Sequence, residues 1–278
     1  MSKQVIEKRH SIHGTKSGDK KIASLLTKTV NLLTKLESNL INLKTELNRV
    51  SKYSYDEGER CIEFKLTDKI VKKCHSLQTK IEDDVDKLVE LGYMIFDCKE
   101  MNKSYFKRHK VYVHMGAFLD DAQELYQSHY ENVNSGSGDP VRVPVTDWVH
   151  DFFLDQDISC INELRGHCEQ IMVNNNILMS ELKKVTYEYV DKNSEDKDDR
   201  EITVYTLNSK SAKSLQSATD AFFNNWDAME SYGFDCTHHE DNFETYSYFD
   251  QVPLYAKFVL EEYNEKNNSK SNSSRESR

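Results

Sequence analysis

The sequence contains few residues that break helices. Its 278 residues include only nine glycines and three prolines, and 30% of them are charged. Hydrophobic residues make up 37% of the chain, against about 45–50% in an average globular protein. A multi-stranded sheet needs many turn-forming residues, whereas long helices need almost none. The composition therefore predicts an all-α fold, an elongated coiled coil or helical bundle.

Long apolar runs and paired cysteines are also missing. No apolar stretch approaches the roughly 18–20 residues of a membrane-spanning helix, and the charged N-terminus is not followed by the apolar core of a signal peptide. The six cysteines are scattered without a CxxC pair, which favours reduced, packed thiols. We therefore expect a soluble, cytoplasmic protein.

A surplus of positive charge is absent too. The formal net charge is −10, which disfavours nucleic acid as a partner because phosphate binding relies on excess Lys and Arg. The N-terminal arm, residues 1–21, is locally basic, and we expect it to be disordered and to make at most weak contact with a membrane. The polar tail, residues 264–278, should be disordered as well.

Short catalytic motifs are not found. The phosphate-binding patterns GxxxxGK[ST] and GxGxxG, the GxSxG nucleophile turn and the HExxH zinc helix all fail to occur. We therefore expect no enzyme, with no catalytic residue and no cofactor.

What the sequence does contain is two heptad seams. One runs from Ile22 to Val50 and the other from Ile161 to Tyr189, both in alternating steps of three and four residues. Asn175 interrupts the second seam and either fixes its register or marks a solvated stretch. The pattern leaves open whether the seams pair within one chain or between chains of a homo- or hetero-oligomer. The side chains predicted to form the interaction seams are Leu26, Leu33, Leu36, Leu40, Leu43, Leu47, Ile161, Leu164, Ile171, Leu178, Leu182 and Val185.

Glycine and proline concentrate in 132-NVNSGSGDPVRVP-144, which predicts a linker at residues 132–145. We expect a helical hairpin or bundle over residues 22–131 before it and coiled-coil helices over residues 146–263 after it. Within the first part, the polar break 53-YSYDEGE-59 separates two helices.

Two segments carry side chains of the kind that bind metals. Cys160 and Cys168 lie two helical turns apart, too far for one tetrahedral zinc ion. The segment 235-DCTHHEDNF-243 is richer in such groups, but its adjacent histidines point in different directions, and the Glu-x-x-His spacing of metal-binding bundles is missing. We expect a polar loop there and no metal; the alternative is a metal-dependent hydrolase that uses residues 235–241.

Three later segments occur in a suggestive order: 146-TDWVHDFFLDQDISCINELRGHCEQI-171, 215-LQSATDAFFNNWDAMESYGFDC-236 and 246-YSYFDQVPLYAKFVLEEYNEK-266. This order resembles the autophagy-related protein 17 family, which are elongated helical scaffolds of autophagy initiation. The resemblance implies a scaffold in autophagosome initiation whose partners are components of the autophagy kinase complex. The alternative is a subunit of another helical assembly, such as a kinetochore or vesicle-tethering complex.

Overall fold

A computed structural model of the chain describes residues 4–8, 13–91, 110–148, 151–190, 201–231 and 251–273. The chain divides into two compact units. Unit 1 comprises residues 1–27, 167–229 and 239–278, and unit 2 comprises residues 28–166 and 230–238. None of the helices in the described ranges is long and apolar enough to cross a membrane.

Helices dominate both units. They are α1 His13–Val50, α2 Asp68–Glu90, α3 Lys110–Ser135, α4 Asp151–Val185, α5 Ser209–Ser231 and α6 Gln251–Ser273. The strands are β1 Gln4–Lys8, β2 Ser51–Asp56, β3 Glu59–Phe64, β4 Val141–Pro144, β5 Thr186–Val190 and β6 Glu201–Leu207. The prediction of a mainly helical protein is confirmed, and the strands are an addition that the all-α class did not include.

Unit 1 combines helices with a three-stranded antiparallel sheet in the order β1-β6-β5. The central strand, 201-EITVYTL-207, is rich in β-branched residues, and it buries Val204, Tyr205 and Leu207. Asn208 begins α5, because its side-chain oxygen accepts hydrogen bonds from the backbone N–H groups of Lys210 and Ser211.

Unit 2 has its own three-stranded antiparallel sheet, in the order β2-β3-β4. Strands β2 and β3 form a hairpin whose two turn residues, Glu57 and Gly58, have φ angles of 47° and 91°. Two positive φ values are the requirement of the type I′ turn, which matches the twist of paired strands. The segment 53–59, predicted as a polar break between helices, therefore lies in a β-hairpin that follows α1 directly.

The helices of unit 2 pack in antiparallel pairs. Ion pairs join Glu46 of α1 to Lys73 of α2 at 2.7 Å and Lys44 of α1 to Asp155 of α4 at 2.7 Å. Closer to the N-terminus of α1, Glu37 forms an ion pair with Arg165 of α4 at 2.6 Å. Partner numbers on α4 rise as positions on α1 fall, so these two helices run in opposite directions.

All twelve predicted seam residues are buried, each at most 6% exposed. They are covered by other side chains of the same chain. Their use as a binding surface for a partner stays a prediction, as does coiled-coil packing in the strict sense. Asn175 is buried on the seam, so the interpretation of a solvated stretch is wrong at that position.

The predicted linker is corrected by the structure. Helix α3 continues to Ser135, and β4 pairs with β3 inside residues 132–145. Gly136 ends α3 with a φ of 75°, the left-handed conformation common after helices. Pro144 ends an edge strand, where a missing N–H is tolerated. Glycine and proline therefore act here as a helix end and a strand end within one unit.

The two predicted disordered ends also need correction. The strand β1 and the start of α1 at His13 lie within the arm, residues 1–21. Pairing of β1 with β6 gives the arm an ordered partner, which its charge composition could not indicate. Helix α6 continues to Ser273, well into residues 264–278.

Replacing Gly58 by Ala should lower the free energy of unfolding by about 1 kcal/mol, because a Cβ atom is strained at this φ angle. An added Cβ meets no atom within 4 Å, so the change isolates the backbone effect. The matched control is Gly166→Ala inside α4, also open to 4 Å, which should raise stability by about 0.5–1 kcal/mol. Urea denaturation measures both, and equal effects of the two substitutions would contradict the assigned turn.

Candidate protein-interaction surface

Burial of the seams leaves a small set of large apolar side chains exposed. Single exposed apolar residues are ordinary, but neighbouring ones beside a groove mark interaction sites. The exposed large apolar residues in the described ranges are Ile41, Tyr53, Tyr55, Tyr130, Val133, Val173 and Ile177. They include three pairs of sequence neighbours: Tyr53 with Tyr55, Tyr130 with Val133, and Val173 with Ile177. The first and the last of these pairs lie beside a cavity or groove, one in each unit.

The first group lies on the β2–β3 hairpin, and we call Tyr53, Tyr55 and Arg60 the hairpin surface. Tyr53 and Tyr55 are two residues apart on one strand and so project from the same face. Tyr53 is 59% exposed and Tyr55 75% exposed. Arg60 is directly opposite Tyr55, and its guanidinium carbon lies 4.4 Å from the centre of the Tyr53 ring. This cation–π contact orients one aromatic ring while leaving its edge accessible.

Trp148 packs at the other end of the hairpin face that carries Tyr53 and Tyr55. Its ring centre lies 5.0 Å from that of Phe64 on β3 and 5.8 Å from that of Phe118 on α3. A cavity of about 160 Å³ lies beside it, lined in part by Asn48, Tyr53 and Trp148. The aromatic cluster therefore fixes the root of the hairpin on helix α3, while the hairpin itself carries exposed tyrosines.

The opposite face of the hairpin is charged. Arg142 of β4, Glu63 of β3 and Lys52 of β2 form a row across the strands, in which Glu63 lies 3.7 Å from Arg142 and 3.6 Å from Lys52. The row ends on Lys52, whose side chain is mostly exposed. Near the turn, Asp56 is directly opposite Glu59, an arrangement of like charges that destabilises a strand pair.

The second group lies between α4 and α5 in unit 1. The two helices are antiparallel: His167 is hydrogen-bonded to Asn225 at 3.1 Å, and the Asn174 amide donates to the Ala221 carbonyl at 2.9 Å. A groove of about 470 Å³ runs along them, and we call it the α4–α5 groove. Its lining consists of Asn174, Ile177, Glu181, Lys213, Ser214, Ser217, Ala218 and Ala221.

Small side chains from α5 form one wall of this groove, and a larger apolar residue forms the other. Ile177 is 47% exposed, and Val173, one helical turn before it on α4, is 50% exposed. Residues four apart on a helix lie on one face, so the two form a continuous apolar strip. A strip of this kind beside a wall of Ser and Ala fits the apolar face of another helix.

Cysteine and histidine side chains in the described ranges do not converge. No group of three or more His, Cys, Asp or Glu residues there is placed to hold a metal ion.

Burial raises the pKa of the Cys160 thiol, and it raises the pKa of the Cys74 thiol to about 11. Both thiols are therefore protonated at neutral pH. The thiol of Cys168 lies 3.9 Å from the Met229 sulfur. The segment 235–243 and Cys98 lie outside the described residues.

Asp157 on α4 is a deeply buried carboxyl group of unit 2. It is 1% exposed, and neither carboxylate oxygen has a hydrogen-bond partner in the described part of the chain. Burial raises its pKa to about 8, so the group is mainly protonated at pH 7. Asp157 is therefore a source of pH-dependent stability.

The sequence did not indicate the exposed residues of either surface. Val173 and Ile177 lie off the seam that the heptad pattern identified, at a spacing typical of any helix face. The alternation 53-YSY-55 before a Glu-Gly turn was the available signal for the hairpin, but alternation over so few residues is weak.

Asp157→Asn should raise the free energy of unfolding at pH 7 by about 1–3 kcal/mol, because the unfolded wild-type chain gains from ionising Asp157 and the folded chain does not. Below pH 4 the group is protonated in both states and this gain disappears. The difference between variant and wild type should therefore grow as pH rises from 4 to 8, as measured by urea denaturation.

The matched control is Asp83→Asn at an exposed position of α2, which should change stability by less than about 0.5 kcal/mol with no such trend. Destabilisation by Asp157→Asn at every pH would show instead that the carboxylate has a stabilising partner.

Comparison of the chain with family models, with curated proteins and with solved structures finds no match.

Proposed function

We propose that the chain is a non-catalytic helical scaffold that assembles proteins in the cytoplasm. The observation that carries the proposal is the α4–α5 groove, which Ile177 lines, together with the exposed Val173 one turn before Ile177 on α4. Burial of the heptad seams supports it indirectly, because side chains that remain exposed are the ones accessible to a partner of the folded chain. The hairpin surface in unit 2 offers a second binding region, and a scaffold needs at least two.

The partner at the groove is an amphipathic helix. Helix-in-groove recognition uses apolar anchors spaced three or four residues apart, which match a strip of two residues one turn apart. Glu181 and Lys213 bring one acidic and one basic side chain to the lining. Charges of opposite sign at a rim select the direction in which a helix lies, more than they add to its affinity.

The cellular role proposed first is autophagosome initiation, with components of the autophagy kinase complex as partners. The order of segments from Thr146 to Lys266 supports this choice through its resemblance to the autophagy-related protein 17 family. A kinetochore or vesicle-tethering assembly uses the same kind of helical scaffold and is distinguished by the identity of the partners.

Replacing Val173 and Ile177 together by Ser should reduce recovery of the partner at least about fivefold, because the exposed apolar strip is lost, including Ile177, which lines the groove. The measurement is affinity purification of the tagged full chain from its native cells, followed by quantitative mass spectrometry. Proteins of the autophagy kinase complex would support the first role, and other helical assembly subunits would support the second.

The matched control is Ile41→Ser, a similarly exposed isoleucine in unit 2, at 43%. It should leave recovery unchanged, and circular dichroism should show that all variants melt like the wild type. Enrichment of no protein, or equal recovery with the double variant, would contradict the proposal.

A further inference from the structure

We propose that two copies of the chain pair through strand β2, so that their three-stranded sheets join into one sheet around a two-fold axis. The inference deepens the proposed assembly function and rests on it, since it names a second copy of the chain as the partner of the hairpin surface. Three features of unit 2 carry it: an open strand edge, a unique register and complementary charges.

Strand β2 is an edge strand, because among the described strands only β3 pairs with it. Lys65 donates its backbone N–H to the Val50 carbonyl at 2.9 Å. Val50 and Lys65 are therefore a hydrogen-bonded pair. Every second residue along the strand repeats this arrangement, so the backbone groups of Val50 and of the even-numbered residues of β2, among them Ser54, face β3. By the alternation of antiparallel ladders, the backbone groups of Ser51, Tyr53 and Tyr55 face the open side. An unpaired row of this kind is a template for another strand.

Symmetry leaves few registers for self-pairing. Only residues whose backbone groups face the open side can exchange hydrogen bonds, so a two-fold axis must pass at a residue position and not between two residues. An axis at Ser54 puts Tyr53 of each copy opposite Tyr55 of the other copy. The two residues of each such pair exchange backbone hydrogen bonds. Moving the axis to Tyr53 excludes Asp56 from the pairing, and moving it to Tyr55 excludes Lys52.

The register centred on Ser54 also places Lys52 opposite Asp56 of the second copy. This match continues the alternating row of Arg142, Glu63 and Lys52 with a negative charge. It also brings a positive charge to Asp56, which otherwise faces only Glu59 across the hairpin. These are non-hydrogen-bonded positions, where facing side chains come closest. Opposite charges directly across strands stabilise the pair, and like charges destabilise it.

On the other face, the same register stacks Tyr53 against Tyr55 of the second copy. These two rings are the most exposed large apolar side chains of the hairpin, and facing aromatic residues are among the stabilising cross-strand pairs. A lysine on an edge strand commonly prevents pairing. Here Lys52 selects one register, because only that register supplies it with a carboxylate.

The test is a charge-reversal exchange on the full chain, followed by native mass spectrometry and sedimentation. In the Lys52→Asp variant, the new carboxylate lies opposite the Asp56 carboxylate of the second copy. In the Asp56→Lys variant, two ammonium groups lie opposite each other. Each variant should therefore weaken dimerisation about tenfold or more. An equal mixture, one variant labelled with ¹⁵N, should form a mixed dimer at least as tight as the wild type.

The controls are Lys35→Asp on α1 and Asp83→Lys on α2, both at exposed positions, which should leave the wild-type dimer unchanged. A wild-type chain that stays monomeric at several hundred micromolar, a dimer that neither reversal weakens, or a mixture that restores nothing would overturn the proposal. Partner recovery through the α4–α5 groove does not depend on Lys52 or Asp56, so it distinguishes failure of this inference from failure of the scaffold function.

Discussion

Burial of the heptad seams inside their own chain is the constraint on which the rest of the structure depends. Leu33, Leu36, Leu40 and Leu43 are fully covered, and burying each leucine contributes about 1.5–3 kcal/mol. Ion pairs such as Glu46–Lys73 lie beside these contacts and contribute much less where they are exposed to solvent. Stability therefore comes from the seams, while the charged pairs favour one antiparallel alignment.

Internal use of the seams determines which surfaces remain for partners. An unsatisfied leucine seam would bind another helix with little selectivity. Here the exposed large apolar side chains in the described ranges are few, and they include the strip of Val173 and Ile177 and the tyrosines of the β2–β3 hairpin. The hairpin is held rigidly because Phe64 and Trp148 pack at its root. Small surfaces on rigid supports suit selective, reversible assembly better than an open coiled-coil face.

The helices could be predicted because their apolar residues recur over many turns. The strands could not, because β2 and β3 are six residues each and leave too short a pattern between long helices. Gly136 and Pro144 led to the wrong prediction of a linker for a related reason. Glycine and proline occur in linkers, at helix ends and in edge strands alike. Which edge of a sheet stays open, and which side chains a packed bundle leaves exposed, depend on tertiary contacts that no local pattern contains.

Zero-length carbodiimide cross-linking of an equal mixture of ¹⁴N- and ¹⁵N-labelled chains tests most directly whether the seams close within one chain. Lys44 with Asp155 and Lys73 with Glu46 are 2.7 Å apart on opposite sides of the α1 seam and are suitable reporters. Closure within one chain predicts that both cross-linked peptides contain only a single isotope. Mixed-isotope peptides at either pair, at the statistical proportion of about one half, would show that the seams join different chains and would contradict the assignment of the exposed surfaces as the binding sites.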